Sequence, residues 1–200
     1  MVLMTRLLVL AATIVVLLGG AESKDPNFFE KPYLQLGDRA KPNGGDLDLH
    51  WLAHDRDDVW TVEYRDEGAW RPAQVTMLRR VAVPGTDAHR VMTAPLLNLA
   101  PNRKFDYRIK VGGKEVFQAS AMSRKTAAAA STRTVIFGDC AANTDGQKAV
   151  AYYTLREQPD MLFITGDIVY SRGRVSEYQD KFWPIYNAEQ GGEKVGAPVL

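Results

Sequence analysis

The chain has 200 residues, 46% hydrophobic and 24% charged, with 25 basic and 24 acidic side chains for a net charge of +1. That length suits one large or two small domains, and the balanced, interspersed charge offers no basis for nucleic acid or an anionic membrane surface as a partner. The single cysteine, Cys140, excludes an internal disulfide, so stability must come from the core.

The first segment stands apart. Met1–Arg6 carries one positive charge, Leu7–Leu18 is apolar except for Thr13, and Gly19-Gly20-Ala21 supplies small residues. This pattern predicts a secretory signal peptide over residues 1–21, cut near Ala21. The apolar run is shorter than the roughly 20 residues a membrane span needs. The mature protein is therefore expected to be secreted or periplasmic, with no stable membrane association after cleavage.

Residues 28–122 read in period two. Leu47, Leu49 and Trp51 alternate with Asp46, Asp48 and His50; Trp60, Val62 and Tyr64 alternate with Thr61, Glu63 and Arg65; Phe105, Tyr107, Ile109 and Val111 alternate with Lys104, Asp106, Arg108 and Lys110. Each run predicts a strand with one buried and one wet face. Pro42-Asn43-Gly44-Gly45, Asp66-Glu67-Gly68, Pro84-Gly85, Pro101-Asn102 and Gly112-Gly113 supply the turns between them. The expected architecture is an antiparallel β-sandwich. Trp51 on an early strand, and Leu97-Asn98-Leu99-Ala100-Pro101 before Phe105-Asp106-Tyr107, resemble a fibronectin type III module. That resemblance implies a spacer or docking module and no chemistry. His50, His54 and His89 all fall in this region and are read as solvated surface residues.

Residues 123–133, Ser-Arg-Lys-Thr-Ala-Ala-Ala-Ala-Ser-Thr-Arg, read as a linker: the alanine run is too short to hold a helix alone. From Thr134 the pattern changes. Val135-Ile136-Phe137 is a short apolar strand, Thr144 and Gln147 have capping-box spacing, and a helix is expected to about Glu157, ended by Pro159. Val150 and Tyr153, with Ala149, are expected to form its inward stripe. Met161-Leu162-Phe163-Ile164 then reads as a parallel strand buried on both faces, completing a βαβ unit. A second amphipathic stretch carries Tyr178, Phe182, Ile185 and Tyr186, broken by Pro184. A third strand is expected to begin at Val199.

Both strands of the unit run into Gly-Asp: Gly138-Asp139 and Gly166-Asp167. Ligands gather at the carboxyl ends of strands in open α/β sheets. Two carboxylates side by side repel, and a multivalent cation among them removes that cost. Tyr170 follows Asp167 by three residues. A phenol gives up its proton near neutral pH only beside a strong charge such as a trivalent iron.

The stretches Phe137-Gly138-Asp139-Cys140 and Pro159-Asp160-Met161-Leu162-Phe163-Ile164-Thr165-Gly166-Asp167-Ile168-Val169-Tyr170 resemble the first two blocks of the calcineurin-like metallophosphoesterases, above all the purple acid phosphatase branch. Residues 134–200 would then be the N-terminal part of a truncated α/β metallophosphoesterase domain. The resemblance implies Asp139 as an iron ligand, Asp167 as the bridge between two metals and Tyr170 as a phenolate ligand. It implies a binuclear centre of Fe(III) with a divalent ion (Fe, Zn or Mn) that hydrolyses phosphate esters through a metal-bound hydroxide. The residue two after Asp139 is Ala141, not the histidine of the wider superfamily, as in the tyrosine-using branch. Cys140 also matches phosphatases of the PhoD type, in which a cysteine of this block serves iron. The family's Gly-Asn-His block and its later histidines are not present, so the chain is expected to need the remainder of the catalytic domain as a partner and to be inactive alone. A PhoD-like alkaline phosphatase or phosphodiesterase, and a non-catalytic extracellular fibronectin-like binding module, are the alternatives.

Overall fold

The computed structural model describes residues 25–37 and 44–197. The signal peptide expected over 1–21, part of the first turn, and the strand expected at Val199 lie outside the described residues.

Eight antiparallel strands come first: β1 (Phe28–Gln35), β2 (Leu47–His54), β3 (Trp60–Arg65), β4 (Arg71–Ala73), β5 (Thr76–Val81), β6 (His89–Leu96), β7 (Lys104–Val111) and β8 (Lys114–Met122). They form two four-stranded sheets, ordered β1-β2-β6-β5 and β4-β3-β7-β8. Period-two burial puts Leu49, Trp51 and Ala53 of one sheet against Val62, Tyr64, Phe105, Tyr107 and Ile109 of the other in one shared core. Trp51 and Trp60 pack with ring centroids 5.6 Å apart, and the Tyr64 hydroxyl donates to the Leu97 carbonyl at 2.9 Å.

The histidines depart from expectation. His89 is only 2% exposed, stacks on Phe29 at 4.3 Å and bonds through Nδ1 to the Asp87 carbonyl. His50 is half-buried against Tyr33, and burial pushes its pKa down. His54 bonds through Nε2 to the Asp25 carbonyl at 2.9 Å. Alternation marks a face but not what covers it, and here the β1 side chains Phe29 and Tyr33 lie against His89 and His50.

The segment after β8 is irregular yet tied down. Ser123 is buried, and the Asp160 carboxylate accepts from both Lys125 Nζ and the Arg133 N–H at 2.8 Å.

β9 (Thr134–Phe137) and β10 (Met161–Ile164) then pair in parallel, joined through α1 (Asp145–Arg156). Thr144 caps α1, accepting from the Gln147 N–H at 3.2 Å. The Gln147 side chain does not close the capping box; it turns inward. The inward stripe is buried Gln147 and Ala151 with partly buried Leu155, spaced i, i+4, i+8, whereas Val150 and Tyr153 are 52% and 49% exposed. The expected stripe is thus corrected: Gln147, not Val150, lies on the inward face, where its side chain makes three hydrogen bonds to backbone groups.

The chain continues through α2 (Val175–Glu177), a π-helical turn (Tyr178–Phe182) and α3 (Trp183–Tyr186). The Trp183 N–H reaches the Tyr178 carbonyl, five residues back, which widens the helix just before Pro184. Pro184 therefore enters the first turn of α3 instead of ending the helix. Phe182, Ile185 and Tyr186 are buried with Cys140, Ala141, Ala151 and Val169 in a second core. This part meets β1 directly: Tyr33 packs on Trp183 at 4.9 Å, Lys31 pairs with Glu189 at 2.8 Å, and Asn187 donates to the Lys31 carbonyl at 3.3 Å.

Candidate metal centre

The two Gly-Asp turns abut. The β9–β10 ladder pairs Phe137 with Ile164, and Thr165 donates its N–H to the Phe137 carbonyl at 2.9 Å. Beyond the turns the chains pair again at Ala141 and Val169, one residue out of the earlier register. Counted back from that bridge, Asp139 and Asp167 occupy matching positions in the two turns. The Asp139 N–H donates to the Gly166 carbonyl at 3.4 Å.

Asp139 and Asp167 share an uncommon backbone conformation, with φ of 53° and 46°. Left-handed non-glycine residues are sparse and concentrate at functional sites, and aspartate is among the few types that tolerate the region. Gly138 has a separate reason to be glycine: a Cβ there would lie 3.2 Å from the Gly166 carbonyl oxygen and 3.3 Å from Thr165 Oγ1. A side chain there would push the two turns apart by a few tenths of an ångström.

Tyr170 completes the group. Its hydroxyl donates to Oδ1 of Asp139. Asp139 and Asp167 are exposed and Tyr170 is half-buried, so the phenol lies beside a carboxylate that solvent can reach. The donor set is hard oxygen, two carboxylates and a phenol, which fits a trivalent or divalent hard cation. Among the described residues, no three His, Cys, Asp or Glu side chains cluster as a metal-holding group. The histidines lie on the sandwich and add nothing here.

Cys140 faces the other way. It is 6% exposed, sits in the second core, and directs its thiol toward the Ile168 carbonyl at 3.7 Å. Burial pushes the thiol's pKa up. The Cys140 carbonyl accepts from the buried Tyr186 hydroxyl at 3.2 Å, which anchors the turn from inside.

Three polar side chains brace the loops that follow the turns. Gln147 Oε1 accepts the N–H groups of Ala142 and Asn143 at 2.8 and 2.6 Å, and its Nε2 donates to the Lys181 carbonyl at 3.0 Å. Glu177 accepts the N–H of Ser171, that of Arg172 at 3.0 Å and that of Arg174 at 2.9 Å. Lys181 Nζ donates to the Tyr170 carbonyl. Sequence reasoning missed all three braces. The i, i+4 spacing of Glu177 and Lys181 was the available signal, but on a helix it ordinarily marks a solvated pair.

No protein-family model matches the chain, and no curated protein matches it. Among solved structures, it is similar to a purple acid phosphatase from yellow lupin (Lupinus luteus) seeds, 19% identical with a TM-score of 0.57 over 76% of this chain. It also aligns with PhoD, 14% identical with a TM-score of 0.47 over 78% of this chain. The chain spans about a third of each, 32% of the lupin enzyme and 30% of PhoD. The lupin likeness shows a shared fold over the aligned part of the chain.

Proposed function

We propose that this chain carries the first two ligand-bearing strands of an exported, metal-dependent phosphoesterase of the purple acid phosphatase type. Residues 1–21 are its signal peptide, residues 28–122 a fibronectin type III-like sandwich, residues 123–133 the connection, and residues 134–200 the first part of the catalytic domain. The observation that carries this reading is the contact of the Tyr170 hydroxyl with Asp139 at the carboxyl ends of two parallel strands, beside Asp167. The fold shared with the lupin enzyme supports it.

Asp139 and Tyr170 would hold iron, and Asp167 would bridge toward a second, divalent ion (Fe, Zn or Mn). When bound, such ions supply Lewis acidity toward a phosphoryl oxygen. The exposure of both aspartates leaves the strand ends open to a phosphate ester. Burial of the Cys140 thiol favours this donor set over one using sulfur. Three donors do not complete two ions. The remaining ligands would come from the rest of a catalytic domain, and these 200 residues alone would turn over phosphate esters little or not at all.

The test is ferric ion added to the metal-free chain. The expected result is a visible absorption band from phenolate-to-iron charge transfer, absent in Tyr170→Phe. Asp139→Asn and Asp167→Asn should each weaken ferric binding by at least about tenfold. A chain that takes up no ferric ion would leave the non-catalytic module as the reading.

A further inference from the structure

We propose that Glu177 and Lys181 are positioning residues that hold the Tyr170 phenol against Asp139. The proposal rests on the metal-centre reading for its purpose, but its geometry is independent of any ion. A glutamate three residues into a helix ordinarily caps the first turn, reaching back to one N–H. Glu177 does this to Arg174 at 2.9 Å, and then goes further. Its carboxylate also takes the N–H groups of Ser171 and Arg172, the two residues directly after Tyr170. A single carboxylate thus takes the N–H groups of Ser171, Arg172 and Arg174 in the loop leaving the tyrosine.

Lys181 grips the same loop from one turn on. Its Nζ donates to the carbonyl of Tyr170 itself, and its own carbonyl is held by Gln147 from α1. The brace therefore runs from α1 through the π-helical turn to the tyrosine. Such π turns often sit at functional sites, where the widened backbone redirects a side chain. The three backbone donors hold the Glu177 carboxyl below the usual carboxylate range. Hydrogen bonds to a charged acceptor are the stronger kind, so the loop is pinned rather than merely capped.

The experiment uses the full 200-residue chain, metal-free and isotopically labelled, as wild type, Glu177→Ala and Lys181→Met. It reads amide exchange at Ser171, Arg172 and Arg174 and the through-space contact between the Tyr170 ring and Asp139. In E177A, exchange at Arg172 and Arg174 should accelerate by at least about tenfold. The ring contact should disappear while the sandwich amides keep their protection. Retention of the ring contact in E177A would overturn the proposal. If E177A does not fold, K181M decides on the same contact, its loss supporting the proposal and its retention sinking it. With ferric ion added, the phenolate band should weaken in both variants. A merely structural role would lower the melting temperature and leave the contact and band at wild-type values in folded molecules. If wild type takes up no ferric ion, the metal-centre reading fails while the metal-free contact still decides this one.

Discussion

The hydroxyl of Tyr170 bonds to the carboxylate of Asp139 across the gap between two parallel strands. The residues are 31 apart in the chain, and the contact lies where the β9–β10 register slips by one residue between Phe137–Ile164 and Ala141–Val169.

Cys140 adjoins this contact in sequence but not in space. Because its thiol points into the second core, Cys140→Ala should keep the ferric band of the wild type and change ferric affinity by no more than about twofold. The substitution removes a buried sulfur and should cost about 1 kcal/mol of stability in urea unfolding. A shifted or lost band in C140A would make the sulfur a ligand.

Gln147 holds three backbone groups at once, and it is 8% exposed. Gln147→Ala leaves the N–H groups of Ala142 and Asn143 and the carbonyl of Lys181 without this partner. The expected loss is about 1–3 kcal/mol in chemical denaturation. Val150→Ala, on the exposed face of the same helix, should stay within about 0.5 kcal/mol of wild type. The pair of measurements checks which face of α1 is buried.

Glu30 predicts a pH dependence. Burial raises its carboxyl to about 7, against the opposing influence of the Gln179 hydrogen bond and of Lys31. Tyr33 also lies close, its own pKa raised by burial and by Glu30, with Arg79 opposing. The folded chain therefore keeps a proton that the unfolded chain has released. This contribution is complete below the ordinary carboxylate range and is lost as pH rises through about 7. The melting temperature should fall from pH 5 to pH 8, the full effect corresponding to about 3 kcal/mol. Glu30→Gln should flatten the dependence and be the more stable chain at pH 8; an unchanged slope in E30Q would assign it to another group.

Much of this was legible without coordinates. The alternation in β2, β3 and β7 identified core-facing residues such as Trp51, Val62 and Tyr107, because a strand on one core needs only a local pattern. The two Gly-Asp pairs marked where the parallel strands end, and Tyr170 was placed beside them by its spacing. What the tertiary structure alone decided was the partner of each polar side chain. Gln147 looked like a cap and is a buried brace; His89 looked wet and lies under Phe29; Glu177 and Lys181, which no sequence pattern singled out, hold the tyrosine loop. Hydrophobic periodicity is written locally, since each apolar residue need only face inward. A hydrogen bond needs one particular atom from a distant segment, and only the packed chain determines which atom arrives.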